Sequence, residues 1–527
     1  MMKCVSIEFN VYYQIIMTTM KKIICSLLLS LPLGVGAQTL YDVTPFMDND
    51  LTGTSRFISM GGSMGALGGD ISVMGTNPAG IALYRRSDFS FTGSLNFNNT
   101  KAKYNKTSVS SDYASGDVES MGAVLANKMN DGGSLKFLNV GMGYRRKNGL
   151  SREFEMAGPA DGFSQQYVIR DLYDNNPFDM GSIDGYSYSD FYYSWLPLLA
   201  TYANIGDVDG NLITTPDGEL IYNPTDIGFI GKERGGVSEV DVNLAANFND
   251  RVYVGATLSF ANVDYSTENL YYENDEIGEI YSIGNYNHIE GTGFGIKLGT
   301  IIRPFKYSSF KFGLAVHTPT WYSLKSYSYA DIQGPFEDFF DTRDWDLYDG
   351  ELRTQSKFRT PWRFSASASY TIGSTVALNA EYEYADYSSA KFGRVGLGGK
   401  NAQNEEIKYN LKEQHTVRLG AEFNLNKNFC LRAGYNYSTA PFRKDAYKSM
   451  YNMPVTSTST EYINRFDREA VSLGAGYRGK MFYFDMAYVL QTQEADFYPF
   501  ADPEYYNPAA EVEFTDHTIT ATLGIKF

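Results

Sequence analysis

Cysteine, histidine and long apolar runs are all scarce in this chain of 527 residues. Two of its three cysteines, Cys4 and Cys25, lie in a segment that reads as an export signal. Only Cys430 would remain after processing, which excludes an internal disulfide. Outside the signal, no apolar stretch reaches about 18 residues, the rough minimum for a membrane-spanning helix. If the chain crosses a membrane, it must therefore cross with strands.

The sequence also lacks the patterns of an enzyme, a metal site or a nucleic-acid surface. Its four histidines are scattered, and there is no His-Glu-x-x-His, no paired cysteine and no Gly-x-Ser-x-Gly. We therefore predict no catalytic residue, no metal, no cofactor and no enzymatic activity. The net charge of -16 is opposite in sign to what nucleic acid attracts, so nucleic acid is not an expected partner.

Aromatic residues and glycine, by contrast, are abundant. The chain has 42 Tyr, 34 Phe and 50 Gly, and only 20% of its residues are charged. Tyrosine-rich composition is typical of the aromatic girdles of a membrane β-barrel, although composition alone also fits a tyrosine-rich secreted β-protein. The mean hydropathy of -0.31 does not decide between them, because a barrel hides its apolar residues by alternating them with polar ones.

The amino terminus has the pattern of an export signal. Two lysines precede an apolar run over residues 23–36, which ends in small residues. We predict a signal peptide over residues 1–37. A start at Met17 or Met20 would give a more ordinary signal, so residues 1–16 are interpreted as a misassigned extension.

The last residues of the chain alternate strictly between apolar and polar or small side chains. The apolar positions are Ile519, Ala521, Leu523, Ile525 and Phe527. Because strand side chains point alternately to opposite faces, one face of this strand is apolar and the other is polar. This is how a transmembrane β-barrel of the bacterial outer membrane ends, with lipid on one side and the lumen on the other. The terminal Phe527 makes the barrel-assembly machinery an expected partner.

Similar alternation predicts an all-β fold, a transmembrane antiparallel β-barrel of 14 strands over residues 88–527, with long extracellular loops. The predicted strands are 88–98, 118–128, 136–148, 236–248, 252–264, 292–303, 309–317, 361–371, 375–386, 414–425, 428–438, 469–478, 481–491 and 515–527. Short turns alternate with long connections at 149–235, 265–291, 319–360 and 439–468. The even count places both chain ends in the periplasm.

Residues 38–87 precede the first strand and are predicted to form a hatch inside the barrel. A lumen enclosed by fourteen strands is wider than side chains alone can fill. The segment is rich in glycine and alanine, which allow close approach of one backbone to another. A nucleotide-binding reading of these glycines is disfavoured, because no strand precedes them and no Gly-Lys-Ser/Thr follows.

The sequence of this segment resembles a known hatch. Residues 59–83, with the element Asn77-Pro78-Ala79-Gly80, are similar to the hatch of the outer-membrane long-chain fatty acid transporter family (FadL and its toluene and xylene transporter relatives). Shorter segments resemble that family's turns and strand ends in the same order. They are 299–304, 317–321, 360–363, 386–388 and 432–441.

The resemblance implies passive uptake of hydrophobic small molecules, such as long-chain fatty acids, by a protein of the bacterial outer membrane. It assigns Asn77, Pro78, Ala79 and Gly80 to the ligand-linked hatch. It also implies lateral release into the membrane at a kink in the third strand.

Two pairs of residues are candidates for this transport path. Gly141 and Gly143 could permit the kink, or could simply lie opposite bulky neighbours. A carboxylate headgroup would need a cation, and Arg145 and Arg146 are the candidates, the alternative being ordinary exposed loop cations.

The expected partners are a hydrophobic ligand and outer-membrane lipid, and the chain is expected to be a monomer. Two other functions stay open on the sequence alone. Some relatives act as surface shuttles of the type IX secretion system, and long tyrosine-rich loops suit such protein interactions. A structural or adhesive barrel is the third alternative. The sequence does not identify the substrate, whether fatty acid, aromatic compound or haem.

Overall fold

The computed structural model describes residues 39–129, 133–175, 195–203, 205, 223–335, 339–344, 352–393, 402–449, 458–501 and 508–527. The predicted signal peptide lies outside these residues. No helix in the described part of the chain combines the length and apolarity needed to cross a membrane.

Fourteen strands form the wall in these residues. They are β1 Asp88–Tyr104, β2 Thr107–Lys128, β3 Leu135–Gly149 with Arg152–Pro159, β4 Asp226–Phe248, β5 Val252–Asn274, β6 Glu279–Ile302, β7 Lys311–His317 with Trp321–Gln333, β8 Leu352–Arg359 with Arg363–Ile372, β9 Val376–Asp386, β10 Glu413–Asn424, β11 Phe429–Ser438, β12 Tyr462–Arg478, β13 Phe482–Tyr498 and β14 Ala510–Lys526. Two shorter strands, Phe339–Asp341 and Lys391–Phe392, belong to the outer connections.

The wall is closed. Each strand pairs antiparallel with the next, and β1 pairs with β14 from Asp88 opposite Lys526 to Lys103 opposite Glu511. Closure pairs the two end strands of the sheet with each other, which is what the absence of water in a bilayer demands. The predicted barrel of 14 strands is confirmed.

Side-chain alternation gives the wall its two faces. On β14, Ile519 is 40% exposed and Leu523 is 63% exposed, whereas Thr520 and Thr522 between them are fully buried in the lumen. Large apolar side chains are exposed in the same way on the other wall strands, as lipid contact requires.

The predicted long connection at 265–291 is wrong. β5 and β6 continue through it as a paired ribbon and meet in a turn at residues 275–278. β1 and β2 likewise extend to a two-residue turn at Asn105, whose φ is +52°. These outer halves lack a lipid-facing apolar stripe, so alternation did not reveal them, but backbone pairing needs no such stripe.

The other predicted long connections also contain strand extensions. The segment 149–235 includes the outer part of β3 and the start of β4, and 319–360 includes the outer parts of β7 and β8. The segment 439–468 includes the start of β12. The barrel therefore rises well beyond the span that the sequence predicted.

Five helices complete the described fold. They are α1 Leu40–Met47, α2 Ser55–Ser59, α3 Gln166–Asn175, α4 Trp195–Tyr202 and α5 Ala402–Asn410. Short turns lie at the end of the barrel where β1 begins and β14 ends, which identifies that end as periplasmic. α3 and α4 belong to an apolar cluster at the opposite, outer end, with Leu196 and Leu199 fully buried in it.

Candidate functional site

Residues 39–87 fill the lumen below the outer end. Backbone N–H of Ser55 donates to Thr522 on β14 at 2.7 Å, and N–H of Gly65 donates to Glu381 on β9 at 2.9 Å. Arg56 also pairs with Glu422 on β10 at 2.9 Å. Because these partners point inward from well-separated wall strands, the segment lies inside the barrel as a hatch.

Glycine brings the hatch against the wall at one point. Gly61 has φ of +63°, and a Cβ there would lie 2.7 Å from the backbone nitrogen of Tyr435. On the wall, a Cβ on Gly434 would lie 2.0 Å from the nitrogen of Gly61. Only paired glycines permit this backbone contact. The abundance of small residues in the segment had predicted such close approach of two backbones.

The element Asn77 to Gly80 lies on the side of the hatch that contacts strands β4 to β7. Asn77 accepts a hydrogen bond from the N–H of Ala79 at 3.2 Å and donates to the carbonyl of Gly65 at 2.8 Å. Its side chain sits where a Cβ of Gly299 would be, only 2.1 Å away. The element is buried in this contact, and a role in ligand passage stays a prediction.

The first hatch helix, α1, is held by wall side chains at its carboxyl end. Lys147 donates to the carbonyl of Phe46 at 3.1 Å, Asn148 donates to that of Pro45 at 2.6 Å, and Arg363 donates to that of Met47. The last carbonyls of a helix have no intrahelical partner and carry partial negative charge. Two cations and an amide therefore satisfy them.

An amphipathic cavity of about 1230 Å³ of empty space lies beside α1 and extends toward the outer end. Its walls are largely aromatic, with charged residues between the rings. The aromatic lining consists of Tyr41, Phe154, Trp195, Phe229, Tyr265, Tyr286, Tyr329, Tyr462, Phe497 and Phe514. We call it the aromatic cavity.

Arg152 and Arg465 border both the aromatic cavity and a second, more polar cavity below it, which we call the polar cavity. The guanidinium of Arg152 lies 4.2 Å from the ring centroid of Phe514, and that of Arg465 lies 5.8 Å from the same ring. Arg152 meets Asp516 at 3.6 Å, and Arg465 meets Glu233 at 4.0 Å. Within the described residues, Nη1 of Arg152 is buried without a hydrogen-bond partner. An anion could be received here.

The predicted headgroup residues Arg145 and Arg146 lie near the outer end of β3, and a role in binding a headgroup stays a prediction. Arg145 is only 8% exposed and pairs with Glu239 at 2.9 Å. Arg146 pairs with Asp117 at 2.7 Å and with Glu119 at 3.6 Å. The alternative that both are exposed loop cations is wrong, because both point into the lumen, where wall carboxylates neutralise them.

Gly141 and Gly143 lie in an unbroken part of the β2–β3 ladder, opposite Val124 and Gly122. A Cβ on either would lie within 3 Å of the Met74 side chain, so they make room for the hatch. The irregularity in the pairing of β3 lies nearer its outer end. Its register against β4 shifts between Arg146 and Asn148, and its ladder with β2 ends at Arg145.

Above that point the outer part of β3 pairs with β4 alone. The backbone pairing of the wall is therefore interrupted between β2 and β3 at the level of the polar cavity, where Arg146 still bridges the two strands through Asp117 and Glu119. We call this interruption the wall discontinuity. The polar cavity is lined in part by Glu119, Arg146 and Leu150. The register shift of the third strand therefore lies beyond the two glycines, and a lateral gate at Gly141 and Gly143 stays a prediction.

Burial shifts the titration of hatch groups beside the cavity. Burial raises the pKa of the Asp42 carboxyl, and it outweighs nearby Lys448 and the hydrogen bonds from Thr39. Burial also raises the pKa of Tyr41. For Arg56, burial would lower the pKa, but the carboxylates of Glu422 and Asp70 raise it above its ordinary value.

The profile of one protein family, described as outer membrane protein transport protein (OMPP1/FadL/TodX), matches residues 237–504. This match covers half of the chain. The chain belongs to this family. It is therefore a transport protein of the bacterial outer membrane, in agreement with the location predicted from the sequence. Membership of a transport family is also consistent with the prediction that the chain is not an enzyme.

Solved structures of the FadL and TodX type share the fold. A FadL homologue from Pseudomonas aeruginosa is 12% identical, with 91% of this chain and 99% of that chain covered and a TM-score of 0.52. The toluene transporter TodX of P. putida is 11% identical, with 91% and 99% covered and a TM-score of 0.50. No curated protein matches the sequence.

Sequence reasoning missed the two arginines that border the aromatic cavity. Arg152 and Arg465 fall in segments that were read as long outer connections, and they come together only when β3 and β12 extend above the membrane. Among the described residues, no group of His, Cys, Asp or Glu is arranged to hold a metal ion.

Proposed function

We propose that this protein takes up hydrophobic small molecules with an acidic head, long-chain fatty acids being the leading class, by diffusion through the outer membrane. The aromatic cavity is the binding site, and Arg152 and Arg465 receive the head. The fold and the family support transport, and the composition of this cavity supports the ligand class.

The single observation that carries the proposal is the combination of aromatic walls with two arginines at the floor. Burying an alkyl chain gains about 0.8 kcal/mol per CH₂, so a chain of some sixteen methylenes gains on the order of 10 kcal/mol before ordering costs. A buried guanidinium with an unpaired N–H group would otherwise be costly, and a carboxylate would satisfy it.

The proposed path then turns sideways. The hatch occupies the lumen below the polar cavity, and its contacts with the wall leave a straight passage obstructed. The wall discontinuity between β2 and β3 at 146–151 adjoins that cavity, so lateral release into the membrane is the proposed exit. A concentration gradient is sufficient to drive this movement.

The test is uptake of a labelled long-chain fatty acid into liposomes containing the purified chain. We expect Arg152→Gln with Arg465→Gln to slow uptake of the acid by at least about tenfold, since losing even one charge-assisted hydrogen bond costs about 1.5–3 kcal/mol and about 1.4 kcal/mol corresponds to tenfold. Uptake of the matching fatty alcohol should change little. Arg85→Gln is the matched control, because Arg85 stacks on Phe137 at 4.5 Å at the periplasmic end and lines neither cavity.

Equal loss of acid and alcohol uptake would contradict the headgroup role but not transport. Absence of uptake by the unaltered chain would contradict the proposed function itself. If that chain instead retained exported proteins in a pull-down, the shuttle alternative would be favoured.

A further inference from the structure

Three cations lie close together on the surface of the wall that faces away from the lumen, and so away from the transport path. Arg359 at the outer part of β8 lies directly opposite Lys391 in the ladder, and Lys357 follows on the same face. The sequence neighbours Phe358 and Phe392 point to the opposite face. They are 2% and 5% exposed and belong to the apolar cluster inside the barrel. The three cations, which we call the outer basic patch, are exposed and point away from the lumen.

The height of the outer basic patch is set by its neighbours. Arg359 lies opposite Trp321 on β7, and both Trp321 and Trp362 are 47% exposed. Toward the periplasm, the same outer surface carries exposed apolar side chains such as Leu314 and Phe364. Tryptophan marks the membrane–water interface of barrels, so the cations lie at the level of the outer headgroups.

Within the described residues, no ion pair involves Lys357, Arg359 or Lys391. The neighbouring surface differs, since Lys325 meets Glu290 at 3.5 Å and His288 meets Asp264 at 3.0 Å. Like charges directly opposite on neighbouring strands are destabilising, and here they persist in a chain of net charge -16.

We propose that the outer basic patch binds the phosphate groups of a phosphorylated lipid of the outer leaflet. Arg359 and Lys391 would hold one phosphate between them, and Lys357 would add charge above it. The tryptophans below would lie along the acyl chains. Phosphate is the anion that Arg and Lys recognise by charge and hydrogen bonding, and headgroup depth is where a membrane presents it.

The test uses the full chain in nanodiscs of phosphatidylcholine doped with diphosphoryl lipid A. Native mass spectrometry after controlled delipidation measures how much lipid A stays bound. Because each cation near an anionic lipid surface contributes about 1 kcal/mol, or roughly fivefold, we expect K357Q/R359Q/K391Q to weaken retention on the order of a hundredfold. Dephosphorylated lipid should not be retained selectively by either protein.

The matched control is K101Q/K103Q/K106Q, which removes the same charge from exposed positions on the β1–β2 hairpin. Heat-modified mobility on gels shows that each variant has a folded barrel. Retention of lipid A equal to the unaltered chain in the control, and lost in the patch variant, supports the proposal. Equal retention by both variants, or equal retention of phosphorylated and dephosphorylated lipid, would overturn it.

Discussion

At the scale of single residues, the hatch is positioned by contacts with the wall that are so close that only glycine fits. Gly61 and Gly434 bring two backbones into contact, and Gly299 makes room for Asn77. The sequence showed that small residues cluster in 38–87. It could not show which wall residues they meet, because those contacts join positions hundreds of residues apart.

Gly61→Ala should loosen the hatch. The added Cβ would lie 2.7 Å from the backbone of Tyr435, which cannot move without disturbing β11. We expect a loss on the order of 1–3 kcal/mol in hatch seating, read as faster proteolysis within residues 39–87. Gly69→Ala is the control, since φ is +70° there but nothing lies within 4 Å. Equal effects of the two changes would show that backbone strain alone is responsible.

Asn77→Ala should alter uptake more than barrel stability. Asn77 ties two parts of the hatch together through Ala79 and Gly65, and its one bond to the wall is a longer one, 3.3 Å, to the carbonyl of Thr300 on β6. Liposome uptake and the temperature of heat-modified gel mobility measure the two properties separately. Parallel loss of folding and uptake would count against this assignment.

At the scale of elements, α1 packs in an apolar cluster, and its carboxyl end is also tied to the wall by three side-chain hydrogen bonds. Lys147→Met should free the carbonyl of Phe46 and weaken docking of α1 by about 1 kcal/mol. A spin label near Asp42 would report greater mobility. Lys427→Met, in an exposed periplasmic turn, is the control. Unchanged mobility in Lys147→Met would mean that the apolar contacts of α1 suffice.

Element positions were predictable where lipid imposes alternation, and not elsewhere. All fourteen predicted strands correspond to wall strands, because a lipid-facing apolar stripe marks each one. The outer halves of β5 and β6 were read as a loop, since their faces meet water and carry no such stripe. For the same reason Arg152 and Arg465 were not predicted as site residues, and the ion pairs of Arg145 and Arg146 with wall carboxylates were not foreseen.

At the scale of the whole molecule, the chain is a closed barrel whose lumen is blocked by its own amino-terminal segment. Polar and charged wall residues face the hatch, and Arg56, Glu422 and Arg432 form one buried network across the two. Transport therefore requires a route that bypasses or rearranges this contact. We propose the wall discontinuity between β2 and β3 as such a route, one that leaves the hatch in place.

Ion conductance across planar bilayers tests this central claim most directly. The full chain should conduct almost no current, because the hatch closes the lumen. A variant lacking residues 39–87, with a folded barrel verified by heat-modified mobility, should open a stable pore of large conductance. Equal conductance of the two proteins would contradict the account.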